Sequence, residues 1–258
     1  MSAGNDKGNR RYFSTGGINF DDDASIEAFA LQVWQAFADQ SIGDDMAKKT
    51  APVTPSVMLT PRYTAALDYA AAIHGTHVRK GTDTTYLSHL LGVSSLVLEA
   101  GGSEDEAIAG LLHDAVEDAG GMPRAANIRA HFGDRVADIV LACSDSTDEE
   151  WKRSVDYWER KQAYLNKVSA SDDRGALLVS IADKVHNARA IVTDIIRSTQ
   201  TQPRRDPLAK FNGTPEQIHD YHSQLLQTAK DKGVPDTLTI PLQLAVERIA
   251  EHISQTEG

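Results

Sequence analysis

Apolar residues along most of this chain recur every three or four positions rather than every second one, the period of an α-helix packed on one side. The clearest stretch surrounds Leu111-Leu112-His113-Asp114-Ala115-Val116-Glu117-Asp118. At about 100° per residue, Ile108, Leu111, Leu112, Ala115 and Val116 share one arc of this helix. His113, Glu117, Asp114 and Asp118 fall within the opposite arc of roughly 140°. Punctuation sets the boundaries. Ser103-Glu104-Asp105-Glu106 is a capping box that starts the central helix after Gly101-Gly102, and Gly120-Gly121 ends it. Thr60-Pro61 pairs an N-cap with proline at the first helical position, which opens the main domain near Met58. Further helices are predicted over residues 123–131, 134–143, 148–168 and 177–196. The capping box Thr214-Pro215-Glu216-Gln217 opens another to about Lys230, and a last one covers 241–253. The pattern predicts an all-α bundle of roughly ten helices.

The N-terminal part reads differently. Residues 1–15 are rich in Gly, Asn and basic residues (Lys7, Arg10, Arg11) and poor in apolar side chains, the composition of a disordered segment. Asp21-Asp22-Asp23 then precede Ile26, Phe29, Val33, Trp34 and Phe37, an amphipathic helix with acidic residues at its start and an apolar face suited to a second subunit. Residues 43–56, with two prolines, read as a linker. The expected organisation is an extension over 1–57 and a helical domain over 58–258.

Composition narrows the function classes. A single cysteine, Cys143, precludes an intrachain disulfide and fits a reducing cytoplasm. No apolar run reaches the ~18 residues of a membrane span. The net charge of −11 argues against nucleic-acid binding, while an anionic small substrate needs cations gathered locally.

Two segments bear on the polar arc of the central helix. His89 opens the helix that precedes the central one in an antiparallel pair. Asp183, in Ile181-Ala182-Asp183-Lys184-Val185-His186-Asn187, is a carboxylate inside an apolar helix, and must be paired, protonated or bound to a cation. An ion pair with Lys184 or Arg189 would satisfy it locally. With His89, His113 and Asp114 it makes a mixed N/O set suited to one borderline divalent ion such as manganese, iron or zinc.

The order histidine, His-Asp, distant aspartate resembles the HD metal-dependent phosphohydrolases, and the flanking residues resemble one branch of them. His74-Gly75-Thr76-His77-Val78-Arg79-Lys80 is similar to H-x-x-x-x-R-K, His113 to Asp118 to H-D-x-x-E-D, and Asp183 to Asn187 to the D-K-x-x-N motif of RelA/SpoT-type alarmone hydrolases. Phe132-Gly133 and Leu208-Ala209-Lys210-Phe211-Asn212-Gly213 also resemble that family. The resemblance implies an HD-domain helical bundle that removes pyrophosphate from the 3′ position of (p)ppGpp, usually with Mn(2+). It implies His89, His113, Asp114 and Asp183 as metal ligands, and Glu117 and Asp118 as the groups that hold or deprotonate the attacking water. Arg79, Lys80 and Asn187 would contact the nucleotide, with Tyr86, Arg160 and Lys161 as further contacts. Between Arg79 and His89 the chain has Gly81-Thr82-Asp83-Thr84-Thr85-Tyr86, where many family members have a shorter serine-glycine turn and a proline before the tyrosine. An adenosine alarmone therefore stays open beside the guanosine one. Two other readings are a different HD nucleotide phosphohydrolase, which has no need of Arg79-Lys80 together with Glu117-Asp118, and a non-catalytic, antitoxin-like binding protein, which has no need of four ligands.

Overall fold

Thr60 Oγ1 accepts a hydrogen bond from Arg62 N at 3.2 Å and Pro61 takes the first helical position, so α1 (Pro61–His74) starts where the sequence placed it. The computed structural model describes residues 57–144, 151, 154–200 and 206–256, and the expectations for 1–56 lie outside the described residues. Nine more helical segments follow: α2 (Leu87–Glu99), α3 (Glu104–Leu112), α4 (Ala115–Asp118), α5 (Gly121–Phe132), α6 (Asp134–Cys143), α7 (Tyr157–Ala170), α8 (Arg174–Gln200), α9 (Pro215–Asp231) and α10 (Asp236–Thr256). Among the described residues the only β pairing is an isolated antiparallel bridge between Val78 and Thr85. The all-α expectation holds.

Both capping boxes form as read: Ser103 and Glu106 at α3, Thr214 and Gln217 at α9. Three boundaries differ from the sequence reading. The helix expected over 148–168 is interrupted: 148–150 and 152–153 lie outside the described residues, Trp151 and Ser154 are helical, and a new helix starts at Tyr157, because Asp156 is extended (φ −74, ψ 173) and its carboxylate caps Glu159 N at 2.8 Å. The last helix starts at Asp236 and carries Pro241 inside it, held by buried Leu238 and Leu242 on either side of the proline. The central helix does not run through to Gly120. It stops at Leu112 and resumes for one turn at Ala115, with Asp114 at φ −93, ψ −5. Neighbouring side chains on a regular helix diverge by about 100°, whereas His113 Nε2 and Asp114 Oδ2 lie 3.0 Å apart. The backbone opens between α3 and α4 so that both can point at one place.

The core is built on α8, which packs against α2, α3, α6 and α10. Leu178, Val179, Ile181, Ala182, Val185 and Ala188 are all buried around Asp183. Helices α2 and α3 approach closely because Gly110 of α3 faces the backbone of Ser94, where a Cβ would stand 3.1 Å from Cα. Ser94 Oγ donates to Ala107 O across the same contact at 2.9 Å. This pairing sets His89 on α2 opposite His113 at the end of α3.

Asp173 anchors the N-terminus of α8. Its Oδ1 accepts from Gly175 N (2.9 Å) and Ala176 N (3.1 Å), and its two oxygens take both terminal nitrogens of Arg135 at 2.6 and 2.8 Å. Arg135 and the two backbone donors hold the Asp173 pKa down to about 2. A carboxyl depressed in the folded state contributes stability above its unfolded pKa of about 3.9 and loses it as pH falls toward the folded value. Asp173→Ala is expected to cost about 1–2 kcal/mol at pH 7, after allowing for solvent screening of a partly exposed pair. The difference in urea midpoint between the two proteins should shrink between pH 4 and about 2; an equal gap at both ends would remove the ionic part of the account.

Candidate metal centre

Four side chains from three places in the fold converge. His89 comes from the first turn of α2, His113 and Asp114 from the opening between α3 and α4, and Asp183 from the middle of α8. His89 Nε2 is 3.2 Å from Asp183 Oδ1 and 3.7 Å from Asp114 Oδ2. His113 Nε2 is 3.0 Å from Asp114 Oδ2 and 3.7 Å from Asp183 Oδ1. The imidazole centroids are 5.1 Å apart. Exposure is 1% for His89, 3% for His113 and 6% for Asp183, so this is polar chemistry enclosed by the core.

His89, His113 and Asp114 each bring a ligand atom within 4.8 Å of the others, as one divalent cation requires, and Asp183 Oδ1 stands near both imidazoles. His113 Nδ1 lies 2.9 Å from Gly110 O, which fixes a proton there and leaves Nε2 as the nitrogen that faces the two carboxylates. That Nε2 is buried, with Asp114 Oδ2 at 3.0 Å and Asp183 Oδ1 at 3.7 Å as its polar neighbours. The spacings of 3.0–3.7 Å are those of neighbouring ligand atoms around one ion about 2.0–2.2 Å away. Burial opposes charge on all four groups, and mutual pairing overrides it in part: the Asp114 carboxyl is pulled below its ordinary range by His113, that of Asp183 by Lys184 and the two imidazoles, and the His113 imidazole is raised well above its ordinary range by the two carboxylates, holding a proton that a bound cation would replace. Both carboxylates are therefore ionised and ready to bind a cation.

Supporting residues surround this set, and several were absent from the sequence reading. His89 Nδ1 stands 2.9 Å from Nδ1 of His186, whose pKa is lowered to about 4 by burial and by His89. A neutral His186 accepts the Nδ1 proton of His89 and turns its Nε2 toward the carboxylates. Gly92 makes this possible, since a Cβ there would meet His186 Cδ2 at 2.3 Å. Asn187 Nδ2 donates to Asp183 Oδ1 at 2.6 Å, Lys184 Nζ donates to Asp183 Oδ2 at 2.5 Å, and Arg79 Nη2 donates to Asn187 Oδ1 at 3.0 Å. The Tyr86 hydroxyl donates to Asp114 Oδ2, so Tyr86 positions a carboxylate as well as lining the cleft. His186→Phe, which keeps the ring volume beside Gly92, should weaken manganese binding about 10- to 100-fold in a titration; unchanged affinity would leave His186 as filler.

Outside this set lies a cleft of about 820 Å³, lined by Arg79, Lys80, Tyr86, Tyr157, Lys161, Lys184, Asn187, Arg189, Arg197, Lys210, Phe211 and Tyr221, among others. Seven of its lining residues are basic and two, Glu99 and Asp194, are acidic. A chain of net charge −11 thus gathers cations at one place. Arg79 is held there by a tight turn: its N–H donates to Thr84 O at 2.9 Å, and Gly81 turns the chain at φ 77, a left-handed conformation that favours glycine. Lys161 is in the cleft wall, with Nζ 5.0 Å from the Tyr221 ring centroid. Arg160, expected beside it, is not among the lining residues, because consecutive positions of α7 face different ways. Glu117 and Asp118 also lie outside the cleft wall. Glu117 is half-buried and Asp118 exposed as a residue, and the Asp118 carboxyl is raised to about 6 by the partial loss of water around that group and by its neighbours Asp114 and Glu117. Tyr86 lines the cleft as expected, while Arg189, Arg197, Lys210, Tyr157, Phe211 and Tyr221 were missed as site residues. A partial signal was present, since residues 183, 187, 190, 194 and 197 share one stripe of a helix.

The HD domain family profile matches residues 66–206. A probable guanosine-3′,5′-bis(diphosphate) 3′-pyrophosphohydrolase of Mycoplasma pneumoniae is 28% identical over 152 residues, covering 56% of this chain and 19% of its own length. A GTP pyrophosphokinase of Streptomyces coelicolor is 32% identical over 130 residues, covering 49% of this chain and 14% of its own. The chain thus spans about a fifth or less of the length of these curated relatives. Among solved structures, a metazoan orthologue of SpoT, described as hydrolysing ppGpp, has the same fold with a TM-score of 0.56 at 24% identity, over 74% of this chain and 97% of that one. A Listeria monocytogenes protein matches with a TM-score of 0.51 at 25% identity, over 65% and 99%. The matched span takes in more than half of the chain and all four converging side chains, and the chain belongs to the HD domain family.

Proposed function

We propose that this chain hydrolyses the 3′-pyrophosphate of (p)ppGpp, consuming water and releasing pyrophosphate and GDP or GTP. The observation that carries the reading is the enclosed two-histidine, two-aspartate set next to a cleft rich in cations and aromatic rings. The relatives named as 3′-pyrophosphohydrolases and the ppGpp-hydrolysing structural neighbour support the same substrate. His89, His113, Asp114 and Asp183 would hold one divalent ion, with manganese the metal we favour. When bound, such an ion lowers the pKa of a water ligand from 15.7 to about 7 and stabilises charge on a phosphoryl oxygen. Glu117 and Asp118 orient the attacking water and accept its proton. Arg79, Lys80 and the other cations of the cleft draw charge off the phosphates. Tyr86 and Asn187 keep Asp114 and Asp183 in place, and Tyr157, Phe211 and Tyr221 offer aromatic faces to a purine.

The test is pyrophosphate release from a panel of ppGpp, ppApp, 5′-nucleotides and a cyclic nucleotide, with and without added manganese. Manganese-dependent release from ppGpp is the expected result. Preference for ppApp would assign the same chemistry to the adenosine analogue, while turnover of only 5′- or cyclic nucleotides would overturn the reading in favour of another HD phosphohydrolase. Glu117→Gln is expected to bind metal and nucleotide and to turn over about 10²- to 10⁴-fold more slowly, since the amide keeps the shape but takes no proton. Single-turnover measurement at saturating substrate checks this, and normal turnover would reduce Glu117 to a structural role.

A further inference from the structure

A second cluster of ligand-type side chains lies beside the first and shares none of its residues. His74 closes α1, His77 follows in the turn that leads to Arg79, and Asp118 ends α4. One ligand atom from each, a ring nitrogen of both histidines and a carboxylate oxygen of Asp118, lies within 4.8 Å of the others. We propose that His74, His77 and Asp118 form a second divalent-cation site, of the borderline class that zinc represents.

The geometry of the imidazoles is the first argument. Nδ1 of His74 and Nδ1 of His77 face each other at 3.2 Å. Two nitrogens bound to one ion at about 2.0–2.1 Å, at tetrahedral or right angles, stand about 2.9–3.4 Å apart. Nε2 of His74 is fully buried and meets no hydrogen-bond partner among the described residues, so nothing on that side of the ring dictates the tautomer. The ring can present the Nδ1 lone pair.

Charge is the second argument. His74 is neutral, its pKa lowered to about 4 by burial, and a neutral imidazole is the form that binds metal. Asp118 stands among Asp114 and Glu117, an excess of negative charge that a cation offsets. Two imidazoles, one carboxylate and an open position make a donor set that catalytic zinc and related ions accept. His77 is exposed, so the site has a path to solvent. Tyr86 stands between the two clusters: its ring centroid is 5.3 Å from that of His74, and its hydroxyl reaches Asp114.

The inference concerns ion binding and does not depend on the substrate. The test is zinc per chain, counted by elemental analysis after equilibrium dialysis of the full chain, for wild type, His77→Ala, Asp118→Asn and His89→Ala. The expected counts are two for wild type and one for each variant. His77 joins the fold through its backbone, by its N–H to His74 O and its carbonyl to Tyr86 N, both at 2.9 Å, so His77→Ala keeps its structure; circular dichroism checks this. A wild type that holds one ion, or a His77→Ala protein that holds as many as wild type, overturns the proposal. The outcome is separate from the hydrolytic reading, which stands or falls on pyrophosphate release.

Discussion

Asp183→Ala is expected to bind no manganese at concentrations that saturate wild type and to lose pyrophosphate release by roughly 10³-fold or more, the loss of several kcal/mol of charge stabilisation. The surroundings of Asp183 are the ground for this expectation. It stands within 3.7 Å of both imidazoles, and its two oxygens also receive Lys184 and Asn187. Removing it takes away one candidate ligand and leaves the Lys184 ammonium at the edge of the site, where it repels a cation. The helical content should survive, because Asp183 is surrounded on α8 by Ile181, Ala182 and Val185, which pack without it. Circular dichroism together with a manganese titration separates loss of the site from loss of the fold. Wild-type turnover at saturating manganese would show that Asp183 is no ligand.

Arg79→Ala is expected to raise KM about 10- to 100-fold, the loss of a charge-assisted contact worth on the order of 1.5–3 kcal/mol, with manganese affinity little changed. Among the described residues the Arg79 guanidinium hydrogen-bonds toward the centre through Asn187, and Asp183 keeps the Asn187 and Lys184 hydrogen bonds when the guanidinium is gone. An exposed arginine with no task would change KM by less than the ~0.5 kcal/mol typical of a surface position. Kinetics on the alarmone beside a metal titration of the same variant decide between them. Unchanged KM would remove the feature that separates an alarmone hydrolase from a general HD phosphohydrolase.

Helix ends with a chemical signature were legible from sequence: the Thr60-Pro61 start and the two capping boxes form as read. Ends set by one residue's backbone were not. Asp156 stops an apparently continuous helical period by turning extended, and Pro241 is tolerated inside α10 because its neighbours pack. The identity of the four converging side chains was readable because an aspartate in an apolar helix and an adjacent His-Asp pair both require partners. Their true geometry was not, since a helical projection assumes a continuous helix and this one opens at His113-Asp114. The cleft wall was the least legible part. Tyr157 and the adjacent pair Lys210-Phe211 come from two separate segments that only tertiary packing brings beside Arg189 and Arg197.

Helix α8 is 27 residues long and carries Asp183 near one end of a stripe that continues through Asn187, Ala190, Asp194 and Arg197. At 1.5 Å per residue, Asp183 and Arg197 are about 21 Å apart along a rod braced by its own backbone hydrogen bonds. The rod acts as a ruler. A group gripped at the Arg197 end is held at a set distance from the aspartate, whatever side chains occupy the graduations between. Exchanges at 190 or 194 can therefore alter which molecules the cleft admits while leaving the reacting end where it was. A one-residue insertion between 187 and 194 has the opposite effect: it turns the far half of the ruler by about 100° and takes the Arg197 end off the stripe.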